Sequence, residues 1–210
     1  MVGTVGPRGG LAARRLSARR ASITWRLANT LRWGFLKGWI AARLIAPLAN
    51  AWGVGTLMGE LAVRVRRASG EWVDFGVVCR RVVTDAGVAF IVDDLDNGAT
   101  EISNFNYHGC GTGTTAEAAG DTALVTESTT ALNPDSTRAT GTRSQPAANQ
   151  YRTVGTLTFD ASAAVTEHGI FSQAATGGGT LLDRSVFSAI NVASGDSIQF
   201  TYTITLSAGG

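Results

Sequence analysis

The run Ser197-Ile198-Gln199-Phe200-Thr201-Tyr202-Thr203-Ile204-Thr205-Leu206, close to the end of a 210-residue chain, decides the fold. Ile198, Phe200, Tyr202, Ile204 and Leu206 alternate with Ser197, Gln199, Thr201, Thr203 and Thr205, so an extended chain here has one apolar face and one face of hydroxyls and an amide. The pattern predicts a strand whose five apolar side chains point into a core, with Thr201, Thr203 and Thr205 facing out. A slip of one residue would turn the whole apolar set to solvent.

Outward from this run the same writing recurs. Residues 153–159, 164–171 and 181–187 are short stretches of β-branched and aromatic residues closed by Gly, Asn, Asp or Ser. Gly177-Gly178-Gly179 and Ser194-Gly195 supply the turns between them. Earlier in the chain Leu61, Val63 and Val65 alternate with Arg64 and Arg66, Ala68-Ser69-Gly70 turns, and residues 72–78 return as the second arm of a hairpin. Thr84 and Asp85 offer N-cap groups for a short apolar helix through Val88, Phe90, Ile91 and Leu95, ended by Asp96-Asn97-Gly98 and expected to plug one end of the fold. Residues 127–150 are polar and short-sided, suited to a long loop or to edge strands. The expected fold is mainly β: an antiparallel β-sandwich with a short helix over residues 60–210, preceded by a basic, helical arm over residues 1–59.

Charge divides the chain at the same place. Residues 1–70 hold twelve of the eighteen Lys and Arg residues and a single acid, Glu60, whereas most of the carboxylates lie beyond. The result is a basic arm joined to an acidic body. In the arm, residues 23–52 are apolar and carry Trp25, Trp33, Trp39 and Trp52, but Arg26, Arg32, Lys37 and Arg43 interrupt them. No uninterrupted stretch approaches the roughly 20 apolar residues that span a bilayer. A helix broken near Pro47 is expected. Three roles compete for it: packing on its own body or on neighbouring copies, anchoring on a negatively charged protein or nucleic acid, and lying on a membrane surface. Trp25, Arg26, Arg32, Trp33, Trp39 and Arg43 are the candidate partner-binding residues, with aromatic rings buried against a protein partner and arginines at the rim. Direct nucleic-acid contact is the less favoured of the anchoring roles. Met58, directly before the first clean strand, also offers an alternative start to the chain.

Signs of chemistry are sparse. Cys79 and Cys110 are the only cysteines, lack a CxxC spacing, and read as free thiols rather than as a zinc site. Gly109, Gly111 and Gly113 imitate a phosphate cradle, but no Lys follows in the required spacing and no long helix begins there. His108 and His168, beside Glu167 and Asp183, form no recognisable triad and read as polar residues at strand edges or inside the sandwich. Asp93, Asp94 and Asp96 lack the alternating ligand positions of a calcium loop. Glu167 and Asp183 are available as a carboxylate pair for sugar hydrolysis, but nothing in the sequence marks them out. No cofactor, metal or catalytic residue is expected.

The stretch Asn106-Tyr107-His108-Gly109-Cys110-Gly111-Thr112-Gly113-Thr114-Thr115-Ala116, followed by Asp121-Thr122-Ala123-Leu124, leads from a strand through glycines to a turn where Thr115 could cap a single helical turn. With Thr166-Glu167-His168-Gly169-Ile170-Phe171, Leu181-Leu182-Asp183-Arg184 and the closing Gly195-Asp196-Ser197, it resembles the structural proteins of tailed-bacteriophage virions, among them capsid decoration proteins, head fibres and tail components. The resemblance covers roughly residues 60–210 and leaves the arm outside. It implies a non-enzymatic protein of the particle, assembled in the bacterial cytoplasm. Attachment to the capsid as a decoration or cement protein is the first expectation; the alternative is a tail or fibre component that binds the host surface or joins tail parts. The implied partners are the major capsid protein or other virion proteins, with the chain itself a homo-oligomer in the particle.

Overall fold

The computed structural model describes residues 22–30, 33–81, 83–97 and 101–208, and its body is two antiparallel sheets packed face to face. The strands are β1 (Thr56–Arg66), β2 (Trp72–Arg81), β3 (Tyr107–Gly111), β4 (Ala139–Thr140), β5 (Thr142–Ala147), β6 (Gln150–Thr158), β7 (Ala163–Phe171), β8 (Leu181–Val192) and β9 (Ser197–Ser207). A five-stranded sheet has the order β2-β1-β9-β6-β5, and a four-stranded sheet the order β4-β3-β7-β8. The expected hairpin is β1–β2, turning at Gly70 with φ +84°, and β1 already starts at Thr56, inside the stretch read as arm.

β9 lies between β1 and β6, which is why it carries the cleanest alternation. Ile198, Phe200 and Tyr202 are fully buried and Ile204 nearly so. Leu206 is not: it sits opposite Leu57 near the end of the ladder and is 53 % exposed, so the apolar alternation outruns the core by one residue. Thr203 departs in the other direction. It is paired with Arg152, whose Nε donates to its hydroxyl at 3.1 Å, and this long side chain buries it. Over most of the four-stranded sheet exposure does not alternate, the end of β8 from Ala189 to Val192 excepted. Residues 165–171 of β7 and 181–187 of β8 are buried without a break, because this sheet is covered on both faces.

Within the arm, α1 (residues 22–30) straps the seam between the two sheets. On one side Ser22 Oγ donates to the carbonyl of Asp74 at 2.6 Å and Asn29 Nδ2 to that of Val78 at 2.8 Å, both on β2. On the other side the Trp25 indole N–H donates to the carbonyls of Ser188 and Ala189 at 3.1 and 2.9 Å, and the Ser188 N–H donates to Asn29 Oδ1 at 3.0 Å, both on β8. β2 and β8 are the edge strands of their sheets, so α1 satisfies the backbone groups that an open edge would leave bare. α2 (Trp33–Ile40) runs on along β2, with Gly38 so close to Arg80 that a Cβ would strike its carbonyl. The break expected at Pro47 is a π-helical turn, Ala41–Ile45, ahead of α3 (Ala46–Ala51). Ala46 N–H reaches back five residues to the carbonyl of Ala41. The wider turn lets the helix continue although the proline ring lacks an N–H and crowds the turn before it.

α4 (Asp85–Asn97) is capped as expected: the Gly87 N–H donates to Thr84 Oγ1 at 3.0 Å. Gly87 lies directly on β8, where a Cβ would come within 2.9 Å of the Leu182 backbone, and Phe90 stacks edge-on against Phe105 at 4.6 Å. Its apolar face is narrower than the sequence suggests. Gly87, Phe90 and Ile91 turn inward, while at 100° per residue Val88, Val92 and Leu95 fall on the neighbouring flank, roughly a third of a turn away, and are exposed. The helical turn expected at Thr115 is absent; residues 112–126 are irregular because their amides are engaged elsewhere.

Candidate functional site

The residues of the glycine-rich and TEHGIF motifs meet on the outer face of the four-stranded sheet. Glu167, fully buried on β7, accepts the backbone N–H groups of Gly113 (3.0 Å), Thr126 (2.7 Å) and Val125 (3.1 Å). Arg184 on β8 completes the carboxylate's shell through Nε at 2.9 Å and Nη2 at 2.8 Å. The same guanidinium donates to Asp121 Oδ2 at 3.0 Å and to the Thr115 carbonyl at 3.1 Å. These bonds draw the amides away from any helical turn and press the loop onto the sheet. The glycine alternation has the period of a strand, not of a phosphate loop. Gly111 and Gly113 lie beneath the loop, and a Cβ on either would come within 2.7 Å of Glu167 Oε1.

A second fastener holds the far end of the loop. Arg138, 2 % exposed, forms a bidentate pair with Glu127 at 2.6 and 3.0 Å and donates to the carbonyls of Gln173 and Gly178. Its guanidinium lies 3.4 Å from the centre of the Phe171 ring. Leu124, Phe171 and Leu181 form a small apolar cluster beside it.

The inner face of this sheet carries the histidines. His108 Nδ1 and His168 Nε2 are 3.0 Å apart, and His108 Nε2 is 3.1 Å from Thr153 Oγ1 across the inter-sheet space. One tautomer pair leaves no ring N–H bare: His168 Nε2–H donates to His108, and His108 Nε2–H donates to Thr153. His168 Nδ1 is then an acceptor with no partner among the described residues. Burial pushes the pKa of His108 down to about 3; burial and the neighbouring His108 hold His168 well below its ordinary value. Both rings are therefore neutral at physiological pH, and His168 lies against Phe200 at 4.4 Å. Further along, Ser185 Oγ donates to Asp183 Oδ1 at 2.9 Å. Asp183 and Tyr202 converge over Gly59, and burial together with Asp183 raises the phenol well above its usual range.

The groups considered for catalysis are thereby distributed, not gathered. Glu167 and His168 are consecutive on β7 and point to opposite faces. Asp183 pairs in register with Ile170 and shares the inner face with His168, so Glu167 and Asp183 stand on opposite sides of the sheet. Cys79 and Cys110 are buried thiols that form no disulfide, and burial, with Glu127 and Glu167 adding to it, pushes the Cys110 thiol up to about 12. Among the described residues no group of three or more His, Cys, Asp or Glu is placed to hold a metal ion. A shallow hollow beside β5 is lined by Arg143, Gln145, Asn149 and Tyr151, whose polar groups already donate to the chain's own carbonyls.

The candidate partner-binding residues of the arm separate in the same way. Trp25 and Arg26 face the chain's own body: Trp25 packs edge-on against Phe75 at 4.9 Å, and Arg26 bonds the carbonyl of Asp74 at 2.8 Å and pairs with its carboxylate at 3.4 Å. Trp39 and Arg43 are exposed. Arg32 lies outside the described residues, as does the side chain of Trp33. No helix among the described residues is long and apolar enough to cross a membrane. The roles of Glu127, Arg138 and Arg184 are not visible residue by residue, although the sequence holds a signal: Glu167 and the adjacent pair Asp183-Arg184 interrupt strand runs that are otherwise uncharged. Compared with family models, with curated proteins and with solved structures, the chain matches none.

Proposed function

We propose that this chain is a non-enzymatic structural protein of a bacteriophage particle, attached to the capsid as a decoration protein. The reading rests on the resemblance of its motifs to tailed-phage virion proteins. One observation carries it further: Gly113, Thr115, Asp121, Leu124, Glu167 and Arg184, six of the residues in the motifs that carry the resemblance, are spent on holding a long loop to a sheet. Motifs used this way specify rigidity, which an assembly component needs. The exposed Trp39 and Arg43 leave part of the arm available to a partner. The test is quantitative mass spectrometry of purified particles. A copy number on the scale of the capsid lattice is the expected result, a copy number matching one ring or fibre transfers the protein to the tail, and absence from particles overturns the proposal.

A further inference from the structure

Two surfaces of the chain are apolar, exposed and opposite in charge. The first is the far end of the arm, where Leu44, Ile45, Leu48 and Trp52 are 61, 58, 53 and 77 % exposed and recur at helical spacing beside the exposed Arg43. The second is the exposed flank of α4, where Val88, Val92 and Leu95 are 46, 56 and 82 % exposed. The exposed Asp85 and Asp96 border this stripe, and no basic residue lies on the helix. Single exposed apolar residues are ordinary, but contiguous stripes of this kind mark interaction sites.

From these two faces we infer that copies of this chain associate head to tail, the α3 end of one arm lying on α4 of the next copy. Within one chain both faces are exposed, so they do not cover each other. Between copies Leu44, Ile45, Leu48 and Trp52 meet Val88, Val92 and Leu95, and Arg43 comes among the aspartates, so shape class and charge both match. The contact is heterologous: every copy offers one arm and one α4, and addition continues until the rotation closes a ring or leaves an open row. Naming this partner deepens the structural-protein reading and rests on it for its purpose. The experiment uses the purified chain, so it can fail while incorporation into particles succeeds, and the reverse.

Sedimentation velocity of the full chain over a concentration series is the measurement. Wild type is expected to grow in mass with concentration, and its association to weaken about tenfold or more when salt is raised from about 0.05 to about 0.5 M, as screening of the aspartates requires. Leu48→Glu and Leu95→Lys each place a repelling charge at one half of the contact, and each variant alone stays monomeric. Mixed, they associate, because the first retains an intact α4 and the second an intact arm. Ile45→Glu and Val92→Lys repeat the experiment at independent positions, and circular dichroism confirms that each variant is folded. A wild type that is monomeric throughout overturns the inference. So does a Leu95→Lys variant that self-associates like wild type, which would mean that arms pair with arms. A monomeric wild type that sediments with anionic lipid vesicles through Leu48 overturns it in favour of a membrane surface.

Discussion

The backs of the two sheets are built from similar residue types and end in opposite environments. On the five-stranded sheet Arg64, Thr156 and Thr158 stand in water, with Arg64 Nε bonded to Gln199 at 2.6 Å and its guanidinium 4.5 Å from the Trp72 ring. On the four-stranded sheet the back carries Glu167 and Arg184 under the loop of residues 112–138, whose own Arg138 is buried as well, with exposures of 0, 2 and 2 %. Polarity does not place a residue. What places it is whether another segment supplies enough donors and acceptors to replace water, and Glu167 finds three amides and a guanidinium where Arg64 finds one amide oxygen and a ring.

The sharpest way to break this contrast is Arg184→Ala. It leaves the Glu167 carboxylate buried without its cation, and the expected loss is about 3–5 kcal/mol in urea unfolding. Replacing both partners, Glu167→Leu with Arg184→Met, is expected to recover little. A buried ion pair can often be exchanged for apolar residues, but here the amides of Gly113, Val125 and Thr126 would lose their acceptor as well. Full recovery would show that the loop is held by packing alone. Phe200→Ala tests the core that both sheets share. With the ring fully buried against His168, about 3–5 kcal/mol is expected, and an unchanged melting temperature would mean that the β9 register is wrong.

The histidines add a pH dependence that sharpens the comparison from the inner side. Their folded pKa values are depressed, so the folded state keeps them neutral while the unfolded chain takes up protons below about pH 6.5. The stability they contribute is present above that pH and is lost as pH falls, by at most about 1.4 kcal/mol per pH unit for each histidine. Unfolding measured from pH 7 to pH 5 should show this slope, and a His108→Gln variant should show a shallower one. The smallest effect belongs to the open back: Arg64→Ala is expected to cost less than about 1 kcal/mol. A loss as large as that of Arg184→Ala would erase the distinction between the two faces.

How much of this could be read in advance follows from the same contrast. The five-stranded sheet was legible because β9 and β1 have one wet face, and alternation is the signal such a face leaves: Phe200 and Tyr202 inside, Gln199 and Thr201 outside. The existence of β7 and β8 was legible too, from their β-branched residues. Their double burial was not, since Thr166, Glu167 and His168 look equally polar whether covered by water or by a loop far away in sequence. The same limit hid the direction of α4, whose Val88 and Leu95 face outward, and the absence of a helical turn at Thr115. In the arm, helicity and the trouble at Pro47 were visible locally. That Trp25 would bind the edge of β8 depends on a strand encoded 163 residues later, and nothing in the neighbourhood of Trp25 records it.

That separation also bears on synthesis. α1 is made 163 residues ahead of Ser188, which with Ala189 supplies two of its four fastening points. At ordinary elongation rates the delay is on the order of ten to thirty seconds. Over that interval the tryptophan-rich arm is outside the ribosome with its apolar side uncovered, and only the β1–β2 hairpin is available early to shelter it. The strap closes when β8 arrives, so α1 is locked long after it is made, and the nascent chain is most prone to aggregate before β8 appears.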